Sequence, residues 1–322
     1  MKKILVTGTA GFIGARVSEM LLEEGYQVIG VDNLNDYYDI NLKFWRLDNL
    51  KKYDNFKFYK YDIENYEELK SVFQLNCPEG VINLAARTGV RYSLENPFAY
   101  LDTNSGGNLN LLELCREYEV SKFVLASTSS LYAGQKMPFQ ENLPVNTPIS
   151  PYASSKKSAE IMAYTYHYLY GLDVTILRYF TVYGPAGRPD MAVFRFIKWM
   201  MESVPLEIFG DGNQKRDFTY IDDIARGTIK ALIPLGYEII NLGNNHPHTL
   251  SEVIQVMGKY VGKKVRSNYK EFHQADMQAT WADISKAKEL LNWHPQFSLE
   301  EGIKRTVDWT INNLEWIRKI KI

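Results

Sequence analysis

Val-Thr-Gly-Thr-Ala-Gly-Phe-Ile-Gly (residues 6–14) follows an apolar run, Lys3–Thr7, and opens a segment in which Ile13, Val17, Met20 and Leu21 share one helical face. Its glycines, Gly8, Gly11 and Gly14, permit a tight strand-to-helix turn. They also let the backbone approach a pyrophosphate at the helix N-terminus, where free N–H groups favour an anion. The spacing is not the commoner G-x-G-x-x-G, and any glycine-rich turn matches the bare pattern. Context sharpens it. Gly25 ends the helix, Gln27–Val31 reads as a second strand, and Asp32 follows directly. A carboxylate there accepts hydrogen bonds from adenosine ribose hydroxyls and repels a 2′-phosphate, which favours NAD over NADP.

The pattern continues outward. Phe56–Tyr61, Gly80–Leu84, Lys122–Ala126 and Val174–Arg178 are further β-rich runs of the buried type, separated by helical patterns. This alternation predicts an α/β fold with a doubly wound parallel Rossmann sheet. After Arg178, glycine, proline and aromatic residues thicken, as in Tyr-Gly-Pro-Ala-Gly-Arg-Pro-Asp (183–190). The expected division is a cofactor domain at 1–178 and a smaller C-terminal substrate-binding domain at 179–322. A segment near 214–243, with a late strand at Ile239–Leu242, is expected to return to the first domain.

Composition narrows the function classes. Of 322 residues, 45% are hydrophobic, enough for a full core. Net charge is −1, from 37 basic and 38 acidic residues, so no imbalance points to nucleic acid or an acidic membrane surface. No apolar stretch approaches the roughly 18 residues of a membrane span. The two cysteines, Cys77 and Cys115, suggest neither a metal site nor a disulfide framework. The five histidines lack ligand spacing, so no metal is expected. These features fit a soluble, cytoplasmic protein.

Chemistry enters with Ser-Pro-Tyr-Ala-Ser-Ser-Lys (150–156). Tyr152 and Lys156, four residues apart on a helix, face the same way. An ammonium beside a phenol favours the phenolate, so the Tyr152 pKa is expected to fall toward working pH. Such a tyrosine takes a proton from an alcohol while hydride leaves the same carbon. Alone, the pair is common on surface helices. The run Ser127-Thr128-Ser129-Ser130 lies at the carboxyl end of a predicted strand, where parallel sheets bind ligands, although Ser/Thr-rich turns are also ordinary.

Together, Gly8-x-x-Gly11-x-x-Gly14, Asp32, Asp62-Ile63, Leu84-Ala85-Ala86, the hydroxyl run and Tyr152-x-x-x-Lys156 resemble the extended short-chain dehydrogenases/reductases over essentially the whole chain. Within them the chain resembles the nucleotide-sugar epimerases. Residues 32–39, 89–93 and 178–192 are similar to the UDP-glucuronate 4-epimerases. The resemblance implies Tyr152 as base, Lys156 as its partner and nicotinamide-ribose ligand, and Thr128 as the group on the sugar 4-hydroxyl. It implies NAD contacts from the glycine turn with Phe12 and Ile13, and from Asp32, Asn33, Asp62, Ile63, Leu84, Ala85, Ala86, Asn104, Tyr179 and Thr181. For a UDP-sugar it implies Thr128, Ser129, Ser130, Arg91, Arg188, Phe209, Arg216 and Asp276. A homodimer through helices near 101–118 and 153–170 is also implied, with Ile161, Met162, Tyr164, Thr165, Tyr168 and Leu169 as apolar surface.

The departures inform the substrate. Family members often have His at the position of Asn83 and Gly at those of Ala133 and Ala275. Galactose-type epimerases carry an Arg near His273, absent here, which weakens a plain UDP-glucose reading. Dehydratases and decarboxylases of the group carry an acidic residue at 129–130, where this chain has two serines. The alternatives kept open are a UDP-glucose/UDP-galactose 4-epimerase and a dehydratase or reductase of the same fold. The six tryptophans read as core or interface residues, and Arg318, Lys319 and Lys321 as a solvated tail.

Overall fold

The computed structural model describes residues 2–271 and 277–322. Its strands are β1 Lys3–Thr7, β2 Gln27–Val31, β3 Phe56–Tyr59, β4 Gly80–Asn83, β5 Lys122–Thr128, β6 Asp173–Tyr179, β7 Thr181–Tyr183, β8 Leu206–Phe209, β9 Lys215–Tyr220, β10 Tyr237–Leu242, β11 Pro247–Thr249 and β12 Ser267–Lys270. Seven of them form one sheet in the order β10-β6-β5-β4-β1-β2-β3. Every pairing in it is parallel. The doubly wound α/β expectation therefore holds.

Strand alternation explains why these short runs form a two-sided sheet. Ile4 and Val6 enter one core cluster, and Leu5 between them enters the other. Val124 and Ala126 likewise split from Phe123 and Leu125. Both faces need helical cover, so the strands read as continuous apolar runs. Fully burying one such side chain stabilises by roughly 1.5–3 kcal/mol.

The order reverses between β1 and β4, and ligands of open α/β sheets bind in the crevice at such a reversal. Two boundaries differ from expectation in ways that shape this crevice. β3 stops at Tyr59, which releases Tyr61 and Asp62 to the cavity wall. β5 continues to Thr128, because Ser127 and Thr128 pair with Arg178 and Tyr179 of β6. The hydroxyl run thus begins inside the sheet.

Beyond β6, the sheets β11-β9-β7 and β12-β8 surround a third core that includes Phe196, Ile197, Leu206, Val253 and Ile303. The chain returns to the first core twice: through β10 beside β6, and through Ala282, Ile284 and the fully buried Trp293. Arg16 Nε donates to Asp222 Oδ1 at 2.7 Å, tying helix Phe12–Glu23 to helix Ile221–Lys230. Arg318, Lys319 and Lys321 are exposed as expected, but the segment that carries them is not a free tail. Ile317 and Ile320 are buried beside Leu42 and Phe194, and the Lys321 amide donates to Asp39 Oδ2 at 2.8 Å. Apolar residues between the basic ones dock it. Of the tryptophans, Trp45, Trp309 and Trp316 pack together in this region.

Candidate active site

A cavity of about 800 Å³ occupies the crevice and extends toward the C-terminal part. Every site residue expected from the sequence borders it except Asn104 and Asp276. Asp276 lies outside the described residues.

The glycine turn forms one end. Gly8 has φ +68°, and a Cβ there would lie 2.8 Å from the Ala85 nitrogen. A Cβ on Gly14 would lie 2.0 Å from the Gly8 carbonyl oxygen. Side chains are thus excluded where the turn passes Leu84–Ala86. Helix Phe12–Glu23 starts after Gly11 with no side-chain cap, so its first N–H groups remain for a ligand. Asp32 Oδ2 accepts from Ala10 N at 3.1 Å, and Oδ1 accepts from Leu34 N at 2.8 Å. Asn33 donates to Asp62 Oδ2 at 2.6 Å, which fixes the adjoining wall. These features fit a dinucleotide: a capless helix start for pyrophosphate and an oriented carboxylate for a ribose.

Lys43 was not legible as part of this end. Its Nζ lies 4.0 Å from Asp32 Oδ1 and donates to Asn35 Oδ1 at 3.0 Å. Burial lowers its pKa against the pull of Asp32. Arg46, one turn along the same helix, is also buried and has no acid partner among the described residues. It donates instead to Ala10 O at 3.1 Å, Ala186 O at 2.6 Å, Gly187 O at 3.2 Å and the Tyr38 hydroxyl at 2.7 Å. It therefore joins the glycine turn to the loop that carries Arg188.

Ser150 caps helix Pro151–Tyr170 by accepting from Ala153 N at 3.2 Å, and Pro151 presets its first turn. Tyr152, Lys156 and Glu160 then fall on one face. Lys156 Nζ donates to Ala126 O at 2.9 Å. Burial lowers its pKa to about 8, with Glu160 opposing the fall. Glu160 accepts from Ser127 Oγ at 2.6 Å and from Arg178 Nε and Nη2 at 2.9 and 2.8 Å. Burial alone would raise the Glu160 carboxyl, but Arg178 holds it below the usual range.

The Tyr152 phenol does not titrate as the sequence suggested. Desolvation raises its pKa, while the Thr128 hydroxyl and the Arg188 charge act the other way. The expected lowering came from Lys156, but that ammonium is anchored on the β5 carbonyl and is itself depressed by burial. Thr128 Oγ1 accepts from Ser130 N at 3.1 Å, which orients the hydroxyl run.

Asn104 reaches the site indirectly, and three expected residues that border the cavity have contacts of their own. Asn104, within the π-helical stretch Leu101–Gly107, accepts from Arg87 N at 2.8 Å and donates to Arg87 O at 3.0 Å and Ser155 Oγ at 2.9 Å. It clamps a cavity loop to the helix that carries Tyr152 and Lys156. π-bulges often occur at functional sites. The Tyr179 hydroxyl lies 2.8 Å from Thr228 Oγ1, so it is turned into the core. Arg216 donates to Lys215 O at 2.9 Å, and the Arg91 guanidinium lies 4.1 Å from the Phe209 ring centroid.

Arg195 and Gln214 were missed. Arg195 Nε and Gln214 Oε1 are buried with no hydrogen-bond partner among the described residues, and both residues border the cavity. A buried orphan donor awaits an acceptor. Arg195 lies within an apolar run, Ala192–Glu202, where a charge on a mostly buried helix was the available signal. Among the described residues no group of three or more metal-ligating side chains forms, and no helix is long and apolar enough to cross a membrane.

Comparison with known proteins agrees with this geometry. The GDP-mannose 4,6 dehydratase family matches residues 5–306. A UDP-glucuronate 4-epimerase of Thermodesulfobacterium geofontis (strain OPF15) is 62% identical over 319 residues, covering 99% of both chains. The crystal structure of UDP-glucuronic acid 4-epimerase from Bacillus cereus, in complex with UDP-glucuronic acid and NAD, aligns with TM-score 0.90 and 39% identity, covering 96% of this chain and 99% of that one. A UDP-glucose 4-epimerase of Thermotoga maritima, with UDP-glucose, aligns with TM-score 0.89 and 36% identity, covering 97% and 99%. The match across nearly the whole length shows that the chain belongs to the GDP-mannose 4,6-dehydratase-like family of extended short-chain dehydrogenases/reductases.

Proposed function

We propose that the protein is an isomerase, an NAD-dependent 4-epimerase that interconverts UDP-glucuronate and UDP-galacturonate. The observation that carries this is one cavity holding an NAD-type glycine turn, the Tyr152–Thr128 pair, and Arg188 close enough for its charge to act on the Tyr152 phenol. The 62% identity to a UDP-glucuronate 4-epimerase supports the acid substrate.

NAD, held by the glycine turn, Asp32 and Lys156, would accept hydride from the sugar C4 and return it to the opposite face. The chain's own residues move the proton. Tyr152 takes it from the 4-hydroxyl and gives it back, while Thr128 holds the oxygen. Ser129, Ser130 and Arg188 meet the carboxylate. A 4-keto sugar acid is a β-keto acid and loses CO₂ readily. Hydroxyl donors with no acid beside them hold that carboxylate without assisting its loss. The same serines argue against the elimination after which the family is named, since a general acid/base at the neighbouring carbon is missing from 129–130.

We divide the chain functionally into an NAD-binding part, 1–178, and a mainly UDP-sugar-binding part, 179–322. Cytoplasmic location fits two unpaired thiols, Cys77 exposed and Cys115 buried. A homodimer through Leu101–Glu117 and Pro151–Tyr170 is supported by apolar side chains left outside, with Tyr168 74% and Leu169 58% exposed. Met162, expected among them, packs inward against the core.

A panel of UDP-sugars incubated with purified enzyme tests the reading. UDP-glucuronate should give UDP-galacturonate, with little UDP-pentose and little turnover of UDP-glucose. Faster epimerisation of UDP-glucose would overturn the acid assignment and leave the 4-epimerase intact.

A further inference from the structure

Arg188 is gripped by its own chain. Its Nε donates to Asp190 Oδ1 at 3.0 Å and its Nη2 to Asp190 Oδ2 at 2.5 Å, a side-on bidentate pair. Its Nη1 donates to Thr88 Oγ1, and its guanidinium carbon lies 5.7 Å from the Tyr37 ring centroid. Thr88 is itself pinned, its carbonyl accepting from Tyr37 at 2.9 Å and Tyr100 at 2.8 Å. The Tyr100 ring in turn meets Tyr152, with centroids 6.1 Å apart.

A guanidinium has five N–H donors in a rigid plane. Three are spent here. One N–H remains on each terminal nitrogen among the described residues, and because Asp190 takes the Nε side of Nη2, the N–H left on Nη2 lies on the terminal edge, where it suits a carboxylate. The Asp190 pair joins residues two apart in one loop, so it cannot hold distant parts of the fold together. Asp190 is 37% exposed, which screens the pair on its side, while the Arg188 side chain is largely buried. What the pair fixes is the direction of the terminal edge.

We propose that Asp190 is a positioning residue for substrate specificity. By taking the Nε edge of Arg188, it presents the terminal edge to the carboxylate at C5 of the sugar. This rests on the UDP-glucuronate reading above. In this role Asp190 acts through Arg188.

The test uses the NAD-loaded enzyme and Asp190→Ala. NAD content and melting midpoint report whether the fold is kept. KM for UDP-glucuronate should rise about tenfold, the scale of losing one charge-assisted contact. The dissociation constant for UDP-glucose should change less than about twofold, since it has no carboxylate to orient. Asp190→Glu, which keeps the charge on a longer stem, should recover part of the loss. If Asp190→Ala does not fold, the isosteric Asp190→Asn carries the same test, because its amide nitrogen cannot accept from Nη2. An equal loss for both sugars would make Asp190 merely structural, and unchanged or tighter UDP-glucuronate binding would make it a competitor. Either result overturns the assignment. Wild-type enzyme that does not turn over UDP-glucuronate sinks both this proposal and the substrate reading, and is seen before any variant is made.

Discussion

Glu160 and Arg178 face each other in the core, Nη2 2.8 Å from Oε2 and Nε 2.9 Å from Oε1, one helical turn beyond Lys156. Both side chains are 1% exposed. Glu160→Gln should therefore destabilise by about 3–5 kcal/mol, because Arg178 is left buried and uncompensated. Glu160 is also the charge that opposes the fall in the Lys156 pKa. The variant's activity should decline at lower pH on the alkaline side than wild type. Denaturant unfolding and a pH–rate profile check the two halves; an unmoved alkaline limb would separate Glu160 from Lys156.

Lys156 stores a cost. Its pKa falls from 10.5 to about 8 on burial, which corresponds to roughly 3 kcal/mol against the folded state at neutral pH. The depressed lysine penalises folding fully below about pH 8. As pH rises from there toward 10.5, the unfolded chain binds the extra proton and the penalty fades. Lys156→Met should thus melt at or above wild type at pH 7, with the gap closing toward pH 10, while losing most activity. Calorimetry across that range decides it, and a variant much less stable at pH 7 contradicts the burial argument.

Tyr152→Phe should keep the fold and NAD content and lower kcat by at least about a hundredfold, the scale of acid–base catalysis. The substitution removes only the hydroxyl beside Thr128. Near-normal turnover would remove Tyr152 from the mechanism.

Asp32 should exclude NADP, and Asp32→Ser should relax that preference. Lys43 strengthens the expectation. With the carboxylate gone, its ammonium loses its main counter-charge and is left to face the position of a 2′-phosphate. Reconstitution with each cofactor measures the ratio; equal use of both by wild type would contradict it.

The exposed apolar row on Pro151–Tyr170 should be covered by a second copy. Light scattering at micromolar concentration should give twice the 37.2 kDa chain mass, and a monomeric mass would reject the interface.

What could be read from the sequence was local. β1 alternates core faces residue by residue, and the glycine turn, Asp32 and the Tyr152–Lys156 spacing each lie within a few positions. What could not be read was carried by contacts distant in sequence. Arg46 meets Ala186 O across 140 residues, and Arg188 meets Thr88 across 100. No periodicity marks such pairs. The Tyr152 pKa was misjudged for a related reason: spacing shows that a lysine faces the same way, but not that a strand carbonyl has already claimed its ammonium.

The acceptors that Arg46 uses on its two loops are all backbone carbonyls, those of Ala10, Ala186 and Gly187. Such a splint reads the path of the chain and is blind to its side chains. Residues that border the cavity from the 184–190 loop can therefore drift, and with them the choice of substrate, while the loop stays registered against the glycine turn. Retailoring this enzyme for another sugar should succeed by exchanging side chains on that loop and fail when the loop is lengthened or shortened.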